Sequence, residues 1–244
     1  MEETRLNKYL SAAGICSRRE ADRRIEAGRV TVDGQRAVVG TTILPGQQVC
    51  LDGKPVTLAE ERILLLVHKP KGIVCTTDRQ EPDNIIDYLG YPKRIYPIGR
   101  LDKDSHGLLL MTNVGSLHNE ITRAANGHEK EYLVTVDRRI DAGFVQRLQE
   151  GVWLPELHCT TMPTEVRKLS DKTFSIVLRQ GKNRQIRRMC RELSYRVRDL
   201  KRIRVMHFLL DGIEEGQYRP ATAEEWELLE RSIKKRESDA DERA

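Results

Sequence analysis

The chain has 244 residues, of which 39% are hydrophobic and 32% charged, and a formal net charge of +5. It is long enough for one large domain, or a small one attached to a medium one, and its charge is modest enough that distribution matters more than sum. Five scattered cysteines (Cys16, Cys50, Cys75, Cys159, Cys190) with no CxxC pair argue against a disulfide framework or a zinc site. No apolar run approaches the roughly 20 residues of a membrane span, and Met1 to Arg5 lacks the plan of a signal peptide, so a cytoplasmic protein is expected.

Residues 4–60 read as a separate small module. Leu6, Tyr9, Leu10 and Ala13 recur at helical spacing, and Gly14 is placed to end that helix. Ser17 reads as an N-cap with Glu20 three residues on, opening a helix from Arg18 to Ala27 that Gly28 ends. Val30 to Val32, Ala37 to Val39 and Val49 to Leu51 are short strand candidates. Asp33-Gly34 and Asp52-Gly53 are hairpin signals. Arg5-Leu6-Asn7-Lys8-Tyr9-Leu10, Gly14-Ile15-Cys16-Ser17-Arg18-Arg19-Glu20-Ala21-Asp22 and Gly28-Arg29-Val30-Thr31-Val32-Asp33-Gly34 resemble the S-four-type RNA-binding domain. The resemblance implies RNA-backbone contacts on this module, for which Arg5, Lys8, Arg18, Arg19 and Arg23 are the candidates. The alternative is a solvated helix whose arginines pair with Glu20, Asp22 and Glu26.

Ala59 to Glu61 reads as a linker, and the main body spans residues 62–233. Ile63 to Val67 predicts a buried strand that stops at His68-Lys69-Pro70-Lys71-Gly72, and Ile73 to Thr77 a second strand. A helix follows at Ile85 to Leu89. Gly99-Arg100-Leu101-Asp102-Lys103-Asp104-Ser105-His106-Gly107 is a charged turn between glycines, which accept unusual backbone angles or a close neighbouring backbone. It feeds the apolar strand Leu108 to Met111. Asp102 is thereby held on a loop supported by rigid structure, a common place for catalytic groups; a surface turn with an Asp bonding its own backbone is the alternative.

Ser116 is placed to cap a helix carrying Leu117, Ile121 and Ala124. Lys130 to Val136 alternates and predicts a strand. Asp141 to Gln149 predicts a helix, Cys159 to Arg167 and Thr173 to Leu178 strands, and Val205 to Leu210 a further strand. Thr222 caps a terminal helix with Trp226, Leu229 and Ile233, and residues 234–244 form a charged tail expected to be disordered. Between Arg179 and Arg204 lie eleven basic residues and two acidic ones. So one-signed a block within a segment of apolar periodicity points to a polyanionic partner.

Three motifs together, Gly99 to Asp102 with Gly107 to Asn113, Lys130-Glu131-Tyr132-Leu133-Val134, and Gly181-Lys182-Asn183-Arg184-Gln185-Ile186-Arg187-Arg188-Met189, resemble the RsuA family of RNA pseudouridine synthases. Within it the wording is closest to the RluF branch, which acts on large-subunit ribosomal RNA. The resemblance implies an α+β protein: a mixed, largely antiparallel sheet with flanking helices, preceded by a small S-four-like domain. It implies isomerisation of a uridine, with Asp102 as nucleophile or base, Arg187 paired with it, and Tyr132 beside the base. No cofactor is required, since no group enters or leaves. A guanidinium next to a carboxylate in a partly dry pocket keeps it charged and oriented. Arg100, Lys103, Lys182, Arg184 and Arg188 are the further candidates for RNA contact.

The implied partner is 23S ribosomal RNA or a precursor ribosomal particle, bound by a monomer with a role in ribosome biogenesis. His68 and Val114 depart from the family's usual Asn and Asp. His68, His106 and His128 lack the ligand spacing of a metal site, and none is expected. Small-subunit RNA or tRNA as substrate, a non-catalytic RNA-binding assembly factor that needs no Asp102, and a glycosidase using Asp104 as partner acid are the competing readings.

Overall fold

The structure is a computed structural model describing residues 3–58, 61–123 and 126–241, with side chains to Lys234. The chain divides into two compact units: one from the N-terminus to Ile63 with Tyr91–Tyr96 and Thr112–Gly115, the other from the remaining segments. Ala59 and Glu60 of the expected linker, and Ala124, lie outside the described residues.

The first unit holds β1 (Thr4–Arg5), α1 (Leu6–Ala12), α2 (Arg18–Glu26), β2 (Val30–Val32), β3 (Gln35–Arg36), β4 (Thr42–Ile43), β5 (Val49–Leu51) and β6 (Lys54–Pro55). Strands β3-β2-β5-β6 form an antiparallel sheet, and β1 pairs with β4. Both Asp-Gly pairs have positive φ at each residue, as tight hairpin turns demand. Ser17 Oγ accepts from the Glu20 N–H at 3.2 Å, opening α2 as its sequence predicts. Leu6, Leu10, Ala21, Ile25, Val30 and Val49 make the core. The strand expected at Ala37 to Val39 is not formed: β3 ends at Arg36, and the Val38 N–H is taken by Thr41 Oγ1 in a turn around Gly40.

The second unit begins with β7 (Leu64–Lys69), α3 (Ile85–Leu89), β8 (Tyr96–Ile98), β9 (His106–Thr112), α4 (Gly115–Thr122) and β10 (Lys130–Val136). It continues through α5 (Ala142–Glu150), β11 (Trp153–Leu154), β12 (Cys159–Thr160), β13 (Glu165–Lys168), β14 (Thr173–Leu178) and α6 (Gln185–Glu192). It closes with β15 (Val197–Val205), β16 (Phe208–Leu209), β17 (Tyr218–Pro220) and α7 (Ala223–Asp241). The main sheet runs β13-β14-β10-β15-β9-β7-β17. β10 pairs antiparallel with β14 and β15, β13 with β14, and β7 with β17, whereas β15 and β9 run parallel, through Lys201 with His106 and Arg202 with Gly107. On one face α5 and α6 bury Phe144, Leu148, Ile186 and Met189 against Val134, Phe174 and Ile176. The α+β class and the mixed sheet agree with the sequence reading.

Several elements differ from their sequence-based expectation, each for a local reason. Ile73 to Thr77 is a loop with one bridge, Val74 to Asn84, because its backbone groups bond residues 83 and 85. Cys159 to Arg167 is two strands in different sheets, separated around Pro163, which has no N–H for a ladder. Val205 to Leu210 is the turn of a hairpin: β15 starts at Val197, inside the basic block, and reverses at Met206, whose φ is 55°. Helix α4 begins at Gly115, so Ser116 lies in its first turn. Thr222 does cap α7, with Glu225 reaching back to its N–H at 2.8 Å. That helix continues to Asp241, past the start of the expected disordered tail; the Lys, Arg, Glu and Ala of this stretch are good helix formers. Among the described residues no helix is long and apolar enough to cross a membrane.

Gly107 carries the tightest approach in the sheet. A Cβ there would lie 2.2 Å from the Arg202 carbonyl oxygen and 2.6 Å from its nitrogen, and φ is +109°. Gly107→Ala is therefore expected to cost about 3 kcal/mol or more, by clash plus strain. Gly212→Ala, at φ +72° with open space around it, is expected to cost about 1 kcal/mol. Denaturant unfolding of both variants checks this; equal losses would show that the backbone approach at Gly107 carries no weight.

Candidate functional site

The loop between β8 and β9 is fixed from behind before any function is considered. Lys69, fully buried at the end of β7, donates from Nζ to the carbonyls of Pro70 (2.8 Å) and Ile73 (2.7 Å) and so shapes the turn that follows. Its burial pushes the ammonium pKa below the usual lysine range. That turn holds the loop: the Gly72 N–H donates to the Lys103 carbonyl at 2.8 Å, and the Leu101 N–H to Cys75 Sγ at 3.4 Å. Ser105, buried, closes a turn on the Asp102 carbonyl at 3.0 Å.

Asp102 projects from this loop into a cleft of about 680 Å³. Its lining contains Tyr132 and seven cationic side chains, Arg100, Lys103, Lys130, Arg179, Lys182, Arg184 and Arg202; Asp102 is the single carboxylate among them. Tyr132 and Lys130 stand two residues apart on β10 and therefore share a face. Opposite them, Tyr132 pairs with Arg202 and Glu131 with Arg204, leaving Ile203 as the extra residue of a bulge. Such irregularities re-aim side chains next to sites, and here Arg202, itself buried, is brought beside Tyr132 while its Nε donates to the Leu108 carbonyl at 2.7 Å.

The guanidinium that meets Asp102 is Arg184, not Arg187. Arg184 sits at the N-cap of α6 with φ 49° and grips Asp104 with two hydrogen bonds, at 3.0 and 2.8 Å. The same group lies 3.5 Å from Asp102 Oδ2. Its hydrogen bonds hold the Asp104 carboxyl below the ordinary carboxylate range. Arg187 lies one turn further along α6, where it donates to the Asp104 carbonyl (2.9 Å) and Ser105 Oγ (3.1 Å). The expected Arg187–Asp102 pair is thus corrected: Arg187 holds the backbone of the loop, because the left-handed turn at Arg184 brings that residue to the carboxylates first.

Among the other sequence candidates, Arg100, Lys103 and Lys182 line the cleft, with Lys103 paired to Asp83 at 2.8 Å. Arg188 does not; with Arg187 it lines a second cavity of about 420 Å³ and forms an ion pair with Glu156. The basic block is less one-signed in space than in sequence. Glu129 and Glu131 neutralise Arg179 and Arg204, Asp104 meets Arg184 and Arg187, and Glu156 meets Arg188 and Arg191. In the first unit Arg5, Lys8, Arg18, Arg19 and Arg23 are exposed. Glu20 binds Arg23 and Arg24 within α2, while Arg5, Lys8, Arg18 and Arg19 have no ion-pair partner among the described residues.

Lys130 and Arg202 were missed as site residues. The signal for Lys130 was its i, i+2 relation to Tyr132; Arg202 was hidden in a basic block read only as a contact for a polyanionic partner. Burial first, and then the charge of Arg202, push the Lys130 ammonium down to about 8. Its Nζ donates to the His128 carbonyl at 3.2 Å.

A family model described as RNA pseudouridylate synthase matches residues 63–192, and the model of the S4 domain matches residues 4–49. The dual-specificity RNA pseudouridine synthase RluF of Escherichia coli (strain K12) is 48% identical over 234 residues, covering 93% of this chain and 80% of the relative. Ribosomal large subunit pseudouridine synthase B of Bacillus subtilis (strain 168) is 32% identical, covering 92% of this chain and 95% of the relative. Ribosomal small subunit pseudouridine synthase A of Yersinia pestis is also 32% identical, covering 91% and 96%. A solved structure described as a pseudouridylate synthase superposes with a TM-score of 0.68 at 29% identity, over 93% of this chain and 99% of that one.

Lys130 gives the cleft a pH signature. Its folded pKa lies below the unfolded one, so it destabilises the fold fully below about pH 8, and this is relieved as pH rises toward the ordinary lysine range. Anion binding has the opposite sign, because the ammonium is lost over the same range. Affinity for a ribosomal RNA fragment is expected to fall about three- to tenfold more in wild type than in Lys130→Met between about pH 7 and pH 9.5. Filter binding at constant salt checks it; parallel curves would remove Lys130 from the RNA contact.

Proposed function

The chain belongs to the RNA pseudouridylate synthase family, carries an N-terminal S4 domain and is an RNA pseudouridine synthase; from that premise we propose that Asp102 drives isomerisation of a uridine in large-subunit ribosomal RNA. The observation that carries the reading is the cleft itself, with one carboxylate and a tyrosine among seven cations. A non-catalytic RNA-binding factor has no use for an acid that opposes its own ligand's charge. A glycosidase needs a partner acid, and Asp104, the candidate, is held ionised by Arg184 and lies outside the cleft lining.

A base stacked in RNA cannot reach Asp102, so the nucleotide is extruded into the cleft. The cations take the phosphates on either side, supplying affinity and register. Arg184, 3.5 Å from the carboxylate, keeps one Asp102 oxygen oriented. Asp102 then starts the reaction by attack on the anomeric carbon, by addition to the base, or by removing a sugar proton. The N-glycosidic bond breaks, the base turns, and carbon 5 bonds the sugar. The proton on carbon 5 leaves to solvent, with Tyr132 beside the base to assist, and N1, freed from the sugar, takes up a proton in its place. Atoms balance without a cofactor.

The large-subunit assignment rests on the 48% identity to RluF, against 32% to synthases named for either subunit. The dual specificity in that relative's name favours a second RNA substrate, and tRNA is the class to test beside ribosomal RNA. Ribosomal RNA from cells lacking the protein, labelled with tritium at carbon 5 of uridine, is the substrate for the test. Wild type is expected to release tritium from the large-subunit RNA and leave pseudouridine there. Asp102→Asn is expected to lose at least about 1,000-fold in rate, an effect of the size seen when a catalytic group is removed. Release from small-subunit RNA alone would overturn the substrate assignment, and free uracil as product would overturn the isomerase chemistry.

A further inference from the structure

Outside the cleft, three ligand-type side chains converge where the end of β7 and the start of β9 meet the loop before β17. His68 on β7, His106 on the neighbouring β9 and Glu215 in the loop before β17 each offer one donor atom, and these atoms lie within 4.8 Å of one another. The two imidazoles stack, with centroids 6.0 Å apart and planes 15° apart.

The hydrogen bonding of the two rings is unusual for ordinary buried histidines. His68 Nδ1 lies 2.8 Å from the Ile213 carbonyl, so that nitrogen carries the proton and Nε2 keeps a free lone pair. His106 Nε2 lies 3.1 and 3.2 Å from the two Asp199 oxygens and donates to that carboxylate, so Nδ1 is the nitrogen that faces away from it. The two remaining nitrogens, His68 Nε2 and His106 Nδ1, are both buried without a hydrogen-bond partner. A buried imidazole nitrogen left unpaired costs free energy. Two of them in one cluster, beside an exposed carboxylate, call for a shared partner that accepts lone pairs. Metal-bound histidines show this same arrangement, the far nitrogen held by a carbonyl or carboxylate that fixes tautomer and orientation.

We propose that His68 Nε2, His106 Nδ1 and a Glu215 oxygen bind one divalent transition-metal ion of the zinc class. Two neutral imidazoles and one carboxylate suit that class. Glu215 is exposed while His68 is only 5% exposed, so the ion enters from solvent on the Glu215 side, and a water completes the coordination. Asp199, which also pairs with Lys71, is the outer-sphere carboxylate. The ion clips β7, β9 and the 213–217 loop together, and β9 is the strand into which the Asp102 loop runs. Its role is structural, and the reaction does not pass through it.

The test uses the full chain, stripped with a chelator and titrated with Zn²⁺ by calorimetry and with Co²⁺ by absorption. One equivalent is expected to bind saturably, with visible bands of a nitrogen- and oxygen-ligated Co²⁺ and no thiolate charge-transfer band. Zn²⁺ is expected to raise the melting temperature, since the site forms only in the folded chain. His106→Gln and Glu215→Gln are expected to weaken binding at least about 100-fold, and Asp199→Asn about 10- to 100-fold through the outer sphere. Should His106→Gln fail to fold, Glu215→Gln, an exposed and conservative change, decides. Thiolate bands, no saturable site, or unchanged affinity in Glu215→Gln would each overturn the proposal.

Discussion

Two residues of parallel pairing hold the catalytic unit in its functional arrangement. His106 and Gly107 on β9 meet Lys201 and Arg202 on β15, which joins the strands carrying Tyr132 to β9, the strand that follows the Asp102 loop. Gly107 must lack a side chain there because the Arg202 backbone occupies the space. The consequence is positional: Asp102 leaves the loop just before β9, while Lys130, Tyr132 and Arg202 come from the two strands on the other side of the seam. A slip at this pairing would separate Asp102 from Lys130, Tyr132 and Arg202.

Electrostatics then divides labour within the site. Of the acidic groups near the cleft, Asp104, Glu129 and Glu131 are engaged by Arg184, Arg179 and Arg204, and their ion pairs build walls. Among the described residues Asp102 receives only the longer 3.5 Å approach of Arg184, which orients the carboxylate while leaving it available. The cations that remain face the cleft, and under the proposed function the RNA completes the charge balance there. Low dielectric strengthens each of these contacts as RNA excludes water.

Much of this was legible in the residues. The Asp-Gly hairpins, the Ser17 and Thr222 caps and the alternating β10 follow local rules, and local rules were enough. Asp102 and Tyr132 were found through motifs and do share one cleft. The pairing of Arg187 with Asp102 failed because it depends on a left-handed residue at Arg184, a conformation that no propensity announces for arginine. The strand β15 was overlooked because its alternation is carried by charged residues, such as Arg204, which pairs with Glu129 and Glu131, and Asp199, which pairs with Lys71 and His106. The same limit hid the histidine cluster: His68 and His106 are far apart in the chain and adjacent only because β7 and β9 are sheet neighbours, so spacing along the sequence was the wrong test.

The central claim is that Asp102 serves chemistry at a cost to RNA affinity, whereas the cations around it serve affinity. The direct measurement is a single-turnover rate at saturating RNA alongside the dissociation constant for the same RNA, both for Asp102→Asn. The account predicts that isomerisation is lost while binding is unchanged or tighter, because a negative charge has been removed from a cationic cleft. Weakened binding with the bound-state rate preserved would contradict it.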